Sequence, residues 1–188
     1  MKKIVTLALC AAACQSLFAQ QSPLGNNYFK GPSASLGISS NKSTTTAAWV
    51  DTKGSSSVGV AKVSYSLTPS ANFRLGLSLS ADLKGSTIAG NASMKRKTPT
   101  EVTIEPGVLL SPITLAYAKF GNYYGSYATN FGSQNVTGTA FGLGLKSYLT
   151  ERTFIAGEIT QHKANGSPTL GWDKFKQRST AVMVGYDF

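Results

Sequence analysis

Residues 73–83 read Phe-Arg-Leu-Gly-Leu-Ser-Leu-Ser-Ala-Asp-Leu, and apolar side chains alternate with small or polar ones along the whole stretch. The side chains of a β-strand point alternately to opposite faces, whereas a helix repeats its apolar positions every three or four residues. The stretch therefore predicts a strand with one continuous apolar face. That face comprises Phe73, Leu75, Leu77, Leu79, Ala81 and Leu83.

The same two-residue period recurs on both sides of this stretch. It is clear in 61–67, 101–110, 139–146 and 179–188, and weaker in 33–40, 113–123 and 153–163. In the last two segments Lys119 and Glu158 define the inward face, because a charge that faces lipid near the bilayer midplane costs a few kcal/mol. Pro106 cannot donate to a strand ladder and predicts a bulge or bend. These segments predict eight strands. Ten strands would require a separate hairpin around 51–54, but we interpret that stretch as an extension of the first outside connection.

The predicted connections alternate between short and long. Short turns are expected at 68–71, around 111–112 and at 150–152, and longer ones at 41–56, 84–99, 125–136 and 164–175. This rhythm is typical of barrels that have short periplasmic turns and longer outside loops. The expected fold is all-β, an eight-stranded antiparallel up-and-down transmembrane β-barrel with both termini on the periplasmic side. A secreted soluble β-sandwich is the alternative, but only 14% of the residues are charged, which is low for water-facing sheets.

The N-terminus has the order of a secretory signal. Two lysines precede an apolar run at 4–13, and a short polar stretch follows before Ala19 and Gln20, although Leu17 is bulkier than the residue usual two positions before a cut. We expect residues 1–19 to be a cleaved signal peptide and residues 20–188 to form the outer-membrane barrel domain of a Gram-negative cell, with the exact cleavage bond left open. The apolar run is too short to cross a hydrocarbon core, which needs roughly 20 apolar residues.

Both cysteines, Cys10 and Cys14, fall inside the predicted signal, so thiol and disulfide chemistry are excluded from the mature chain. Acylation of Cys14, as in a lipoprotein, is the alternative. Removing Lys2 and Lys3 from the 18 basic residues leaves 16 against 8 acidic ones, a net charge near +8. We expect an anionic partner, and for an exported chain lipopolysaccharide of the outer membrane rather than nucleic acid.

Charged side chains also fall on the predicted inward faces. Because an eight-stranded barrel is just wide enough to be filled by side chains, we expect these charges to pair with one another. A small-solute channel is the alternative. Gly142 and Gly144 face inward too, and are expected to leave room for long side chains of the opposite wall. The predicted lumen charge network comprises Lys62, Arg74, Asp82, Glu101, Glu105, Lys119, Lys146, Glu158 and Asp187.

Basic residues concentrate on the predicted outside connections. The densest cluster is Lys95, Arg96 and Lys97, which we expect to bind anions such as lipopolysaccharide phosphates or acidic host glycans through charge-assisted contacts. A generic solvated loop is the alternative. The other basic residues expected on this side are Lys42, Lys53, Lys84, Lys163 and Lys174, with Lys176 and Arg178 near the outer rim.

The chain ends Val-Gly-Tyr-Asp-Phe at 184–188, and residues 142–152 read as a strand, a turn and the start of the next strand. With the signal and the alternating strands, these segments resemble the small outer-membrane β-barrel family of the porin-like superfamily, which includes opacity-type surface proteins and the transmembrane domain of outer membrane protein A. The resemblance implies that Tyr186 and Phe188 are read by the barrel-assembly machinery. We expect a monomer with a structural or surface-binding role carried by its basic outside loops.

His162 is the single histidine of the chain and the centre of the alternative hypothesis, a lipid A-modifying enzyme. Outer-membrane lipid A deacylases of similar size carry a His-x-Ser pair, which residues 161–167 faintly resemble, but Ala164 stands in place of the nucleophile. No His, Asp or Glu cluster has the spacing of metal ligands. We therefore expect no enzyme activity, no cofactor and no metal site.

Overall fold

The computed structural model describes residues 28–47, 50–84, 86–87, 95–96, 98–129, 132–167 and 172–188. The predicted signal peptide at 1–19 and the basic residue Lys97 lie outside the described residues. Within these ranges, no helix is long and apolar enough to cross a bilayer. The long strands are β1 (Gly31–Ala47), β2 (Val50–Leu67), β3 (Phe73–Asp82), β4 (Thr100–Ser111), β5 (Thr114–Thr129), β6 (Gly132–Tyr148), β7 (Thr153–Ser167) and β8 (Trp172–Asp187).

The eight long strands close into a ring. Each is antiparallel to its neighbours, and β8 returns to pair with β1 from Ser33↔Asp187 to Thr46↔Lys174. This confirms the predicted eight-stranded antiparallel barrel, and it excludes the β-sandwich, because a sandwich is built from two separate sheets. Two further strands of two residues each, Ser86–Thr87 and Lys95–Arg96, pair with each other, and the second also pairs with β5 beyond the outermost β4–β5 pair, Thr100↔Tyr124.

Three of the four predicted long connections are built largely from strand rather than loop. The β1–β2 ladder continues to Ala47↔Val50, the β5–β6 ladder to Thr129↔Gly132, and the β7–β8 ladder to Ser167↔Trp172. These segments are rich in Ser, Thr, Gly and Asn, a composition typical of loops, yet Thr also fits a strand well once a partner strand lies beside it. The basic residues expected on loops therefore lie largely on long hairpins at one end of the barrel. In barrels of this class the end with the long connections is the outer one and the end with the short turns is periplasmic.

At Pro106 the structure has a gap in the ladder rather than the predicted bulge, because Glu105 and Pro106 have no partner in β5. The register between β4 and β5 keeps one offset from Thr100↔Tyr124 to Leu109↔Leu115 and shifts only between Leu109 and Ser111, beside the short turn into β5. Pro106 lies opposite Leu75 of β3 without displacing the ladder. The missing N–H of proline is therefore accommodated by a two-residue gap in the β4–β5 pairing, and the register shift falls where that ladder ends.

The two faces of the barrel wall differ as the alternation predicts. Outward side chains are apolar and exposed, for example Leu77 (57% exposed) and Leu143 (67%), which fits a belt that faces lipid. Inward side chains are buried, and they include Lys119 (2%) and Glu158 (6%). The predicted orientations of the weaker strands, which rested on these two charges, are confirmed. The core of the protein is thus the barrel interior, where charged and polar side chains lie beside apolar and aromatic ones.

Candidate functional site: barrel interior and outer basic face

A chain of alternating charges crosses the middle of the barrel. Lys62 contacts Glu158 and lies 2.6 Å from Glu105. Lys119 lies 2.6 Å from Glu158 and 3.0 Å from Glu101. These pairs join β2, β4, β5 and β7 across the interior. Buried charges are tolerated when they are paired and hydrogen-bonded. This pairing therefore allows the lysines and glutamates to lie inside a closed barrel.

Glu158 is the centre of this chain. Both lysines donate to its carboxylate, and the hydroxyl of Tyr117 donates to its Oε1 at 2.6 Å. Glu105 has further donors in the hydroxyls of Ser78, at 2.7 Å, and Thr103. Each carboxylate is therefore held by more than one donor, as a buried charge requires.

His162 extends the chain at its outer end. Its Nε2 lies 2.7 Å from Oε2 of Glu101, and its ring packs 4.9 Å from that of Tyr123. His162 is absent from the predicted lumen network, although it shares the inward face of β7 with Glu158, four residues earlier. The same parity argument that placed Glu158 inward was sufficient to find it.

A second cluster closes the periplasmic mouth. Lys146 pairs with Asp187 at 3.0 Å, and its ammonium lies 3.7 Å from the ring centroid of Phe154. Phe29, which precedes β1 and is 1% exposed, packs on Tyr148 with ring centroids 4.7 Å apart. Its N–H donates to the Tyr148 hydroxyl at 3.2 Å, and its backbone adopts φ 63°.

The sequence gives one signal for this mouth cluster, the adjacent aromatic residues Tyr28 and Phe29 before the first strand. The ring of Tyr28 lies 4.6 Å from that of Tyr148. Burial, with a smaller contribution from Glu151, raises the pKa of the Tyr28 phenol above its ordinary value. The segment before β1 is thus part of the folded barrel.

Two inward glycines make room for aromatic rings. A Cβ placed on Gly144 would lie 2.3 Å from Cζ of Tyr117, and one on Gly185 would lie 2.2 Å from Cζ of Phe154. The expectation that Gly144 leaves room for a long side chain is confirmed in substance. The side chain comes from the neighbouring strand β5 rather than from the opposite wall.

The remaining interior space is small. Two cavities of about 50 and 30 Å³ lie in the described interior, and Lys62 and Glu158 line both of them. A volume of this size holds a few water molecules, because one water needs about 10 to 15 Å³ measured this way. Towards the outside, the rings of Tyr123 and Phe175 stack with centroids 6.4 Å apart. The ion pairs and the aromatic groups at both ends together fill the lumen.

Seven of the nine residues predicted for the lumen network form ion pairs: Lys62, Glu101, Glu105, Lys119, Lys146, Glu158 and Asp187. Arg74 points inward but donates to the backbone carbonyls of Ser70, Ala71 and Phe73 at 3.0 to 3.2 Å, so it braces the β2–β3 turn. Asp82 lines the larger cavity at the outer end of β3.

The outer side of the barrel carries a compact group of cations, which we call the outer basic face: Lys42, Lys163, Lys176 and Arg178. All four are exposed and face outward. Lys42 lies directly opposite Arg178 across β1 and β8, and Lys163 directly opposite Lys176 across β7 and β8. Lys53 and Lys174 lie further from the membrane on the same hairpins.

The cluster predicted at Lys95, Arg96 and Lys97 is only partly described. The backbones of Lys95 and Arg96 pair with Ala128 and Tyr127 of β5, and Lys97 lies outside the described residues.

The C-terminal aromatic residues lie at the periplasmic rim and face outward. Phe188 is 73% exposed, and its N–H donates to the carbonyl of Pro32 at 3.0 Å. The rings of Tyr186 and Phe188 pack edge to face with centroids 5.4 Å apart. Arg152 donates to the Tyr186 hydroxyl at 3.1 Å, and this contact raises the pKa of Arg152. Both aromatic side chains are thus accessible from outside the barrel.

Comparisons with known proteins agree on the fold. The sequence profile of the family described as "Outer membrane protein beta-barrel domain" matches residues 5–188. The attachment invasion locus protein, Ail, of Yersinia pestis is similar with a TM-score of 0.56 at 15% identity, covering 85% of this chain and 99% of that one. No curated protein matches the chain in sequence.

Two more solved structures share the architecture. Ail of Yersinia pestis in complex with the heparin analogue sucrose octasulfate has a TM-score of 0.54 at 17% identity, covering 84% of this chain and 99% of that one. The N-terminal β-barrel domain of OprF of Pseudomonas aeruginosa has a TM-score of 0.53 at 16% identity, covering 85% and 98%. At these identities the likeness extends to the fold alone.

Proposed function

The chain belongs to the outer-membrane β-barrel domain family, and from that premise we propose that it is a closed, non-enzymatic barrel whose outer basic face binds anionic ligands at the cell surface. The observation that carries the proposal is the concentration of four outward cations on three adjacent strands, β1, β7 and β8. Like charges directly opposite each other across strands are unfavourable unless an anion lies between them. The residues Lys95, Arg96 and Lys97 are proposed as a second anion-binding segment.

A sulfated heparin oligosaccharide tests this role. The refolded barrel in a zwitterionic detergent is expected to bind the labelled oligosaccharide saturably at low salt and more weakly at high salt, because exposed charge contacts are screened. The structural likeness to Ail, which has been solved with a heparin analogue, motivates this choice of probe. Absence of saturable binding to any anionic probe would remove the surface-binding role and leave a structural one.

The interior supports a structural barrel over a small-solute channel. Ion pairs and aromatic rings fill the described lumen, and the remaining cavities are about 50 and 30 Å³. Reconstitution in a planar bilayer is expected to give no stable single-channel steps. Regular conductance that increases when Glu158 is replaced would instead favour the channel.

The position of His162 argues against lipid chemistry. Its side chain lies inside the barrel against Glu101 and Tyr123, whereas a lipid-modifying site has to be reached from the bilayer. We expect the lipid A of cells that express the protein to keep all of its acyl chains, as measured by mass spectrometry. Loss of an acyl chain that His162→Ala abolishes would establish the enzyme instead.

Export and assembly complete the proposal. Residues 1–19 are proposed as the cleaved signal and residues 20–188 as the mature, monomeric barrel domain, which N-terminal sequencing of the protein from outer membranes tests. Tyr186 and Phe188 are proposed as the signal for the barrel-assembly machinery, and their exposure at the rim supports this role. Deletion of Phe188 is expected to lower the amount of assembled protein in cells without preventing refolding of the purified chain.

A further inference from the structure

We infer that the anionic ligand of the outer basic face is the phosphorylated glycolipid of the outer leaflet, with its phosphate groups held among Lys42, Lys163, Lys176 and Arg178. This inference rests on the proposed function, because it names the ligand of the same surface. It adds that the ligand lies at the level of the lipid headgroups and that phosphate is the group recognised, and each point can be tested separately.

The four cations are close enough to share one polyanionic headgroup. Residues directly opposite in an antiparallel pair have Cβ atoms about 5 Å apart, and alternate residues on one strand are about 6.7 Å apart. Lys42 and Arg178 are directly opposite, as are Lys163 and Lys176, while Lys176 and Arg178 are alternate residues of β8. Each cation thus has another at one of these two spacings.

The described outward positions of β1, β7 and β8, the three strands that carry this group, offer no acidic side chain to balance it. The outward neighbours are instead hydrogen-bonding side chains: Ser40 lies opposite Thr180, Thr44 opposite Lys176, and Gln161 opposite Arg178. Cations flanked by hydroxyl and amide groups suit a phosphorylated sugar, because both its phosphates and its hydroxyls find partners.

The depth of the group favours a membrane lipid over a soluble ligand. On each of the three strands a cation lies four residues beyond the outermost large apolar side chain that the structure describes on the outward face: Ile38 before Lys42, Ile159 before Lys163, and Val182 before Arg178. Four residues of a strand tilted by about 45° rise about 9 Å, and long basic side chains reach back toward the membrane. That level is the lipid headgroup region, where the phosphates of an outer-leaflet glycolipid lie.

Native mass spectrometry of the mature barrel in a zwitterionic detergent provides the test, with purified bisphosphorylated lipid A as the probe. The variant Lys163→Gln/Lys176→Gln/Arg178→Gln removes three charges of the outer basic face. The control Lys30→Gln/Lys84→Gln/Arg152→Gln removes three exposed charges elsewhere. The heat-dependent gel shift of each variant confirms that the barrel is folded before binding is measured.

We expect the wild type to bind lipid A, the face variant to bind roughly tenfold or more weakly, and the control to stay within about twofold, since the lost contacts are charge-assisted. Dephosphorylated lipid A is expected to bind the wild type as weakly as lipid A binds the face variant. Equal binding of the two lipids would overturn the assignment of phosphate as the recognised group.

The heparin oligosaccharide separates this inference from the proposed function. If the face variant loses heparin binding but keeps lipid A binding, the glycolipid is not the ligand and the surface-binding role stands. If the face variant and the control lose lipid A binding equally, attraction by net charge explains it and the site does not exist. If the wild type binds neither probe, the inference and the proposed function both fail.

Discussion

Lysine occupies two opposite environments in this barrel. Lys62 and Lys119 are buried and each contacts two carboxylates, whereas Lys163 and Lys176 are exposed and lie opposite each other. Inside, where the effective dielectric constant is low, an unbalanced charge is costly, so every cation has a partner within the fold. Outside, water and salt make an excess of one sign tolerable. The interior charges therefore contribute to the stability of the fold, whereas the exterior charges are available for ligand recognition.

The largest expected effect is at Glu158. Glu158→Gln keeps the volume of the side chain but leaves Lys62 and Lys119 with one carboxylate each, so we expect a loss of about 3 to 5 kcal/mol of unfolding free energy. Urea unfolding in lipid vesicles, followed by the heat-dependent gel shift, measures it. The control is Glu151→Gln in the exposed β6–β7 turn, expected to change stability by less than about 0.5 kcal/mol. Equal stability of the two variants would contradict an energetic role of the ion-pair chain.

The next effect is expected at the periplasmic mouth. Phe29→Ala removes a buried ring from the cluster of Tyr148, Phe154 and Lys146. We expect the free energy of unfolding to fall by about 3 kcal/mol. This is the lower end of the range for a buried Phe, because the segment before β1 can move away from the mouth and reduce the loss. The control is Lys30→Ala, an exposed neighbour in the same segment. The same unfolding measurement compares them, and a Phe29→Ala variant as stable as Lys30→Ala means that the mouth cluster does not form in the membrane.

A smaller effect is expected from a single methyl group. A Cβ on Gly144 would lie 2.3 Å from Cζ of Tyr117, while a Cβ on Gly157 would meet nothing within 4 Å. We therefore expect Gly144→Ala to destabilise by about 1 to 3 kcal/mol, and Gly157→Ala to be neutral or slightly favourable. The same urea unfolding assay compares the two variants. Similar values would mean that the Tyr117 ring does not occupy the space beside Gly144.

Alternation, together with the cost of a charge that faces lipid, is sufficient to assign the fold and the inward face. The period of two determines which residues share a face, and Lys119 and Glu158 identify the inward face of their strands. The closing strand β8 was visible in the same way, through Val182, Val184 and Tyr186. These features depend on residues one or two positions apart, and the sequence contains that information directly.

The pairing of charges was not predictable in detail, because it depends on the closed ring. Lys62 and Glu158 are 96 residues apart and meet only because the stagger of the strands brings β2 and β7 to the same level. Arg74 follows the inward parity, yet it donates to the backbone carbonyls of Ser70 and Ala71, a contact that strand parity does not predict. The position of Phe29 in the mouth depends on a backbone turn before β1, and strand periodicity does not predict such a turn.

The outer basic face is expected to show the smallest change in stability, and this sharpens the contrast with the lumen. Lys176→Gln removes a like charge opposite Lys163, so we expect unfolding free energy to rise by up to about 0.5 kcal/mol at low salt. The gain should vanish at high salt, where the repulsion is already screened. Urea unfolding at both salt concentrations measures it, in vesicles of phosphatidylcholine alone so that no anionic lipid offsets the repulsion. A loss of 2 kcal/mol or more, as in the lumen, would mean that the exterior cations also hold the fold together and would remove the reason to assign them to a ligand.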